Sequence, residues 1–239
     1  MGGDSRARLL PAGAEVVPGD VTVPESLASA VEGVDAVALV LGSDGTGRAG
    51  AEAVDYGGVR NVLAALGGRP VRIVLMTAIG FTHRDTAYNR VSHAHDWKRR
   101  AERLVRASGQ PYTIVRPGWF AYHTPAEQLP VMLQGDTRGS GTPADGVASR
   151  TLIARVLVDA LGSEAALGKT FELVAVHGDA PHDPEPLFAA LDPDPEGSVD
   201  AVRDAPTQPL AEEPARVLAE LEAAASHAPV TQHDPLMRR

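Results

Sequence analysis

The stretch that decides the fold runs from residue 71 to residue 120. It reads VRIVLMTAIG (71–80), a polar loop, SHAHDWKRRAERLVRASG (92–109) and PYTIVRPGWF (111–120). The outer pieces are short β-branched runs, and the middle piece has the apolar period of an amphipathic helix. Strand, crossover helix and strand form the unit of a parallel sheet that is covered on both faces. Chemistry in such sheets lies beyond the carboxyl ends of the strands, where Thr77 and Arg116 stand, with Lys98 on the intervening helix.

The same alternation extends towards the N-terminus. Strands are predicted at residues 14–18 (AEVVP) and 35–41 (DAVALVL), and helices at residues 24–32 and 49–66. From residue 14 to residue 120 the order is therefore β-α-β-α-β-α-β. This order predicts an α/β fold with a doubly wound parallel sheet.

Beyond Phe120 the regular alternation of strands and helices ends. The patterns predict a short edge strand at 131–133, a glycine-rich loop at 134–146, a helix at 149–161, a strand at 169–176 and a last helix at 211–225. Prolines and acids dominate the residues between the last strand and the last helix. We therefore expect a main domain over residues 1–176 and a small C-terminal appendage over residues 177–239.

The composition excludes several classes of protein. With 22 basic and 31 acidic residues the net charge is −9, which argues against nucleic-acid binding. No apolar run reaches the roughly 18 residues that a membrane span needs, and the N-terminus lacks the apolar core of a signal peptide. The chain has no cysteine and no spacing typical of a metal site. We expect a cytoplasmic protein without membrane contact, and we read Arg99 and Arg100 as a solvated helix face.

Several motifs together resemble a known family. They are AEVVPGDVTVPESLASAVEGVDAVALVLG (14–42), TAIG (77–80), the helical Lys98 and IVRPG (114–118). In this order they resemble the atypical short-chain dehydrogenase/reductases, and more narrowly the SDR-a5-like, NAD(P)H-binding members related to NmrA-like redox sensors. The resemblance covers about residues 8 to 176.

The resemblance implies a Rossmann-like fold and NADP or NAD as the cofactor. Asp20 and Val21 would then lie beside the adenine ring. The other implied cofactor contacts are Gly42, Thr77, Lys98, Pro117 and Gly118. An ordinary loop is the alternative reading of the glycines around Gly42, because their spacing is wrong for a phosphate-binding turn.

The main departure from the family lies at the front of the chain. Family members begin with a strand and a G-x-x-G-x-x-G turn that holds the cofactor's pyrophosphate, and no such motif precedes Ala14. We therefore expect a sheet that lacks its first β-α-β unit, with impaired cofactor binding. The strand at 35–41 would then have an open edge, so we expect poor solubility or pairing with another chain, as a homo- or hetero-oligomer. The residue that distinguishes NAD from NADP would belong to the missing unit.

The catalytic candidates are Lys98, Thr77 and Tyr88. In the resembling enzymes the lysine bonds the nicotinamide ribose, and a tyrosine four residues earlier donates the proton. That position is Ala94 here, so the proton donor is unidentified. Tyr88 could supply a phenol from the preceding loop, and His93 or His95 could act as acids or be surface histidines. Thr77 would bond a substrate carbonyl, or have an internally satisfied hydroxyl.

The substrate candidates follow the strand that ends in Pro117. Trp119, Phe120 and Tyr122 cluster there although aromatic residues are 4% of the chain, which favours a pocket lining or a lid over the core. Arg138, in the glycine-rich loop, could contact an anionic ligand. The acids between residues 192 and 200 do not match a calcium loop, because prolines interrupt them.

Two functions remain open from the sequence. The first is an NAD(P)-dependent oxidoreductase-like protein that passes hydride between the nicotinamide and a carbonyl near Thr77. The second is a non-catalytic dinucleotide-sensing or partner-binding protein, or a truncated inactive homologue. The missing tyrosine before Lys98 favours the second.

Overall fold

A computed structural model of the chain describes residues 10–43, 45–120 and 122–229. Its centre is a mixed five-stranded sheet in the order β1-β2-β3-β5-β4. The strands are β1 (Ala36–Leu39), β2 (Arg72–Met76), β3 (Tyr112–Pro117), β4 (Leu129–Leu133) and β5 (Lys169–Val176). All neighbouring pairs are parallel except β4 and β5, which are antiparallel at one edge. The predicted Rossmann-like α/β class and the edge strand near residue 131 are confirmed.

Helices connect and cover the strands. They are α1 (Ala28–Val31), α2 (Gly47–Gly50), α3 (Gly57–Leu66), α4 (Ala87–Ser92), α5 (Ala94–Ala107), α6 (Arg150–Gly162), α7 (Glu185–Ala189) and α8 (Ala215–Ser226). A π-helical segment, Ala51–Tyr56, joins α2 to α3, so the predicted helix at 49–66 is a continuous helical run with a bulge. None of the described helices is long and apolar enough to cross a bilayer.

The sheet separates two apolar clusters, as its alternating side chains require. Ile73 and Leu75 of β2 face the cluster formed with α1, α3, α5 and α8. Val74, between them, faces the cluster formed with α6 and α7. Both faces of the central strands are therefore covered, which explains why β2 and β3 are nearly uninterrupted apolar runs.

The strand predicted at residues 14–18 is wrong. These residues are exposed and form no strand, and Val16 is 58% exposed. A β-branched run becomes a strand only where a neighbouring strand can pair with its amides and carbonyls. Within the described residues β1 pairs only with β2, so no such neighbour stands on its outer side.

The prediction that Arg99 and Arg100 form a solvated face is also wrong. They are 2% and 8% exposed, and α5 buries Arg103 and Arg106 with them. Their partners lie in the C-terminal segment that packs across α5. Arg99 and Arg103 bond Asp200, Arg100 and Arg103 bond Glu213, and Arg106 bonds Asp194. The C-terminal acids are thus ion-pair partners of one helix, and the network holds the C-terminal segment against α5.

Candidate functional site

Three parallel strands end at one edge of the sheet, as parallel pairing requires. β1 continues towards Gly42, β2 into Thr77, and β3 ends at Pro117 before Gly118. In open α/β sheets ligands bind beyond this carboxyl edge. These four predicted cofactor residues therefore share one region of the molecule, although their contacts with a cofactor remain predictions.

Lys98 lies in a chain of three polar side chains at this edge. Its Nζ is 3.0 Å from Oδ1 of Asp55, which is on the π-helical segment. The Ser43 hydroxyl donates to Asp55 Oδ2 at 2.7 Å. The Asp55 side chain is 1% exposed and that of Lys98 is 17% exposed. The lysine therefore keeps further N–H groups at the edge while its charge is balanced.

A cleft opens beside Ser43. It has a volume of about 220 Å³ and is lined by Ser43, Gly45, Gly47, Ala87, Tyr88, Val91 and Ser92. The Tyr88 side chain comes from α4, a helix that the sequence analysis took for a loop. Its ring lies 5.5 Å from the His95 ring, centroid to centroid. The fold therefore places Tyr88 and Ser43 at the same cleft, and Ser43 connects it to Asp55, which in turn bonds Lys98.

The Thr77 hydroxyl is directed into the molecule. It donates to Glu102 Oε1 at 2.8 Å, and Thr77 is 7% exposed. Burial raises the pKa of the Glu102 carboxyl, but Arg116 and Arg106 outweigh this and hold it below its ordinary value. The hydroxyl hydrogen is thus held by an ionised carboxylate. The role of Thr77 at a substrate stays a prediction, whereas its role in joining β2 to α5 is visible.

The loop after Thr77 is tied to the loop after β4. Gly80 N and Thr82 N donate to the two carboxylate oxygens of Asp136 at 2.5 and 2.8 Å. Asp136 N in turn donates to Glu172 Oε2 at 3.1 Å. Burial, opposed by Arg116 and assisted by the negative charge of Asp136, raises the pKa of Glu172 to about 7. A titrating carboxyl thus supports two loops of the edge.

The remaining cofactor candidates have local structural roles. The Asp20 carboxylate accepts hydrogen bonds from Thr22 N and Oγ1 at 2.8 and 2.7 Å, which lowers its pKa. Val21 packs against Gly58, where a Cβ would come within 3.1 Å of Val21 Cγ2. A Cβ on Gly118 would come within 2.5 Å of the Gly146 carbonyl oxygen, so this glycine permits a close backbone approach. At Gly42 a Cβ would meet only open space, so the packing there does not require glycine.

The aromatic substrate candidates are exposed at the same edge. Trp119, Phe120 and Tyr122 are 37%, 42% and 61% exposed, and the rings of Trp119 and Tyr122 meet edge to face at 6.0 Å. Arg138 Nη1 donates to the Asp145 carbonyl at 3.2 Å, and its side chain is otherwise exposed. The pocket lining and the lid over the core therefore both remain predictions for these rings.

The two histidines near Lys98 differ. His93 has a left-handed backbone (φ 54°), and its Nδ1 is 3.7 Å from Asp96. Asp96 also pairs with Arg84 at 2.7 Å, so it is a buried ion-pair residue and not only a first-turn acid. Burial lowers the pKa of His95, and its Nδ1 is buried without a hydrogen-bond partner in the described residues. No group of acids and histidines in the described ranges could hold a metal ion.

Sequence reasoning missed Ser43, Asp55 and Glu102. Glu102 follows Lys98 by four residues on one helix, and this spacing could have revealed a shared face. Asp55 is the single acid in the run AVDYGGV (53–59), and an isolated acid in an apolar helix is a sign of a buried partner. Ser43 follows a glycine at the strand end, and nothing in the sequence distinguishes it from an ordinary loop serine.

The fold and its carboxyl edge are those of the Rossmann-like class of α/β proteins. Residues 4–164 match the family model described as NAD(P)H-binding. The chain therefore belongs to the NAD(P)H-binding family, and its cofactor class is NADP or NAD. It is an NAD(P)-dependent oxidoreductase-like protein of the atypical short-chain dehydrogenase/reductase type, as the motifs predicted.

Individual relatives agree with this family. An uncharacterized sugar epimerase of Bacillus subtilis (strain 168) is 28% identical over 188 residues, covering 74% of this chain and 80% of that protein. An uncharacterized chloroplastic protein of Arabidopsis thaliana is 32% identical over 125 residues, covering 44% and 38%. A candidate NAD-dependent epimerase/dehydratase from Bacillus halodurans shares the fold, with a TM-score of 0.56 and 20% identity, covering 72% of this chain and 76% of that one.

The donor set at the edge fits the nucleoside part of such a cofactor. A ribose offers hydroxyls that donate and accept, and the Lys98 ammonium, the Asp55 carboxylate and the Ser43 hydroxyl supply both kinds of partner. The sheet described here begins at β1, and no strand followed by a G-x-x-G-x-x-G turn is among the described residues. Contacts of these three side chains with a cofactor ribose therefore remain a prediction.

Proposed function

We propose that this protein is an oxidoreductase that binds NADPH or NADH at the carboxyl edge and reduces a carbonyl substrate there. The observation that carries the proposal is the Lys98–Asp55–Ser43 chain beside the cleft, with 3.0 Å between Lys98 Nζ and Asp55 Oδ1. The chain has only two lysines against 20 arginines, so a lysine at this position is not a product of composition.

When bound, the cofactor supplies or accepts a hydride at its nicotinamide ring. Lys98 would orient the ribose through the N–H groups that Asp55 does not use. Asp55 would keep the lysine charged and fixed in direction. Tyr88 would donate the proton to the nascent alkoxide, because it is the phenol that lines the cleft. Thr77 would act through Glu102 by holding the β2 end in place. The substrate would be contacted by Trp119, Phe120, Tyr122 and Arg138.

A dinucleotide sensor without turnover is the second candidate. Ala94, at the position of the family tyrosine, is 1% exposed and packs in the core, so no phenol reaches the site from α5. This function uses the same Lys98 contact and differs only in the role of Tyr88.

Residues 1–176 would bind the cofactor, with residues 177–239 as the appendage. The open edge of β1 supports association with a second chain, because its outer amides and carbonyls have no partner strand in the described ranges. A cytoplasmic location is in keeping with an NAD(P)H-binding family, and imaging of the tagged chain in cells would test it.

Calorimetric titration with NADPH and NADH tests the proposal, using Lys98→Arg and a matched Lys169→Arg control. Arginine keeps the charge beside Asp55 but loses the compact ammonium, so we expect Lys98→Arg to weaken binding about tenfold. Lys169 bonds the Phe188 carbonyl at the opposite end of the sheet, so its variant should bind normally. Equal affinity of all three proteins, or no binding at millimolar cofactor, would contradict the proposal.

Tyr88→Phe separates the two candidate functions. Under the enzyme proposal it should bind cofactor normally and lose about 100-fold in turnover of a carbonyl panel, because it removes the proton donor. Binding without turnover in the unsubstituted protein would instead select the sensor.

A further inference from the structure

Exposed aromatic rings and two arginines form one surface at the carboxyl edge. We name Trp119, Phe120, Tyr122, Arg138 and Arg150 the aromatic–arginine patch. The Arg150 guanidinium lies over the Phe120 ring, 4.7 Å from its centroid. Arg150 is the first residue of α6 and is exposed, and no pattern in the sequence indicated a role for it.

The two arginines of the patch differ from most others in the described residues. The arginines of α5, and Arg116 in β3, are buried against carboxylates, and even exposed Arg155 lies 3.7 Å from Asp159. Arg138 and Arg150 pair with no carboxylate of the described residues. In a chain with a net charge of −9, two uncompensated cations on one surface are a local exception.

Backbone hydrogen bonds fix the patch. Trp119 N donates to the Gly146 carbonyl at 2.9 Å, and Ala148 N donates to the Trp119 carbonyl at 3.2 Å. Arg138 bonds the neighbouring Asp145 carbonyl, and a Cβ on Gly146 would lie 3.4 Å from Arg138 Nη1. The backbone of Arg138 also lies against the loop after β2, since the Arg138 carbonyl oxygen would lie 3.0 Å from a Cβ on Gly80. The Arg138 guanidinium is thus held beside the loop that Trp119 bonds, and Arg150 is held to the same surface by the Phe120 ring.

We propose that the aromatic–arginine patch selects an anionic substrate, namely a carbonyl compound that carries a planar apolar group and a carboxylate or phosphate. The rings supply the apolar face, and guanidinium groups form charge-assisted, planar hydrogen bonds with such anions. The overall negative charge repels anions from the rest of the surface, so the patch provides the attraction that an anionic substrate needs. This substrate class rests on the proposed oxidoreductase function, although binding to the patch does not require the cofactor.

Ligand-observed NMR on the full chain without cofactor tests the patch. Benzoate and benzamide have the same ring and differ in charge. We expect benzoate to bind about tenfold tighter than benzamide, and Arg150→Gln or Arg138→Gln to abolish this preference. Arg155→Gln, on the same helix and with the same change in charge, should keep it. Equal binding of the two probes, or an equal loss in the Arg155 control, would overturn the proposal.

A kinetic arm separates this proposal from the proposed function. With NADPH we expect 4-carboxybenzaldehyde to be reduced with about tenfold higher kcat/KM than methyl 4-formylbenzoate. NADPH-dependent reduction of both at equal rates would overturn the anion selectivity and leave the oxidoreductase standing. A benzoate preference in a protein that does not bind NADPH would support the anion selectivity and contradict the oxidoreductase function. Tight binding of a single-stranded oligonucleotide through Arg150, with no benzoate preference, would assign the patch to nucleic acid and also overturn the proposal.

Discussion

Glu172 is a buried carboxyl whose pKa depends on the charges of its neighbours. It accepts from Arg116 Nη1 at 3.0 Å and from Asp136 N at 3.1 Å, and it is 2% exposed. Arg116 is shared with Glu102 and Asp204. Burial and the nearby Asp136 charge therefore prevail, and the pKa of Glu172 rises from 4.5 to about 7.

This shift predicts a pH-dependent contribution to stability. The folded pKa lies above the ordinary value, so the folded state binds the proton more tightly. The stabilisation is complete below pH 4.5 and is lost as the pH rises through 7. The contribution is about 3 kcal/mol. We expect the difference in unfolding free energy between the unsubstituted protein and Glu172→Gln to fall by this amount as the pH rises from below 4.5 to above 7.

Urea denaturation at several pH values measures this difference. The lowered pKa of His95 makes the protein less stable as the pH falls below 6.5, but this effect is common to both proteins and cancels in the comparison. A difference that is constant with pH would show that folding does not raise the pKa of Glu172.

At the residue scale the sequence could identify Lys98 but not its partners. A lysine between two strand ends of a β-α-β unit is close to the carboxyl edge by topology alone. Asp55 lies 43 positions away and meets Lys98 only because the π-helical segment packs on α5. The Thr77 hydroxyl likewise points inward because it bonds Glu102, and the apolar pattern of β2 does not indicate that contact.

At the element scale α5 is held to the C-terminal segment by buried ion pairs. Arg103 is the centre of this contact, because its guanidinium bonds Asp200, Glu213 and the Gln208 carbonyl and is fully buried. Removing one partner of a buried ion pair leaves the others uncompensated, which costs more than the pair itself contributes.

We therefore expect Arg103→Gln to lower the unfolding free energy by about 3–5 kcal/mol. Arg155→Gln, which removes an exposed pair, should cost no more than about 0.5 kcal/mol. Urea denaturation monitored by circular dichroism measures both. If Arg103→Gln does not fold, Asp200→Asn provides a milder test because that side chain is 34% exposed. Equal stability of the unsubstituted protein and Asp200→Asn would contradict a stabilising role for the network.

Regular elements were predictable where the cause is local. β2, β3 and β5 follow from β-branched runs, and α6 from its apolar period. The arginine face of α5 was misread because its partners are about 90 to 110 positions away, and a charged helix face without visible partners resembles a solvated one. The run at 14–18 failed for a related reason, since a strand requires a pairing neighbour that its own residues cannot specify.

At the scale of the whole molecule, β1 has no outer partner strand among the described residues. Ala36 and Ala38 are exposed, whereas Val74 of β2 and Thr113 of β3, which lie in register with Ala38, are buried. Val40, just beyond the strand, is 52% exposed. Unpaired amides and carbonyls next to apolar side chains are a template for another strand.

We therefore predict that the chain associates through β1, and that Ala38→Lys weakens this association. A lysine on an edge strand places a charge where a second strand would dock, a common natural protection against edge pairing. Sedimentation velocity between about 1 and 100 µM should show growing oligomers for the unsubstituted chain and a monomer for Ala38→Lys. Ala189→Lys, at an exposed position of α7 away from the edge, is the control and should associate normally. A monomer for the unsubstituted chain at every concentration would contradict the prediction.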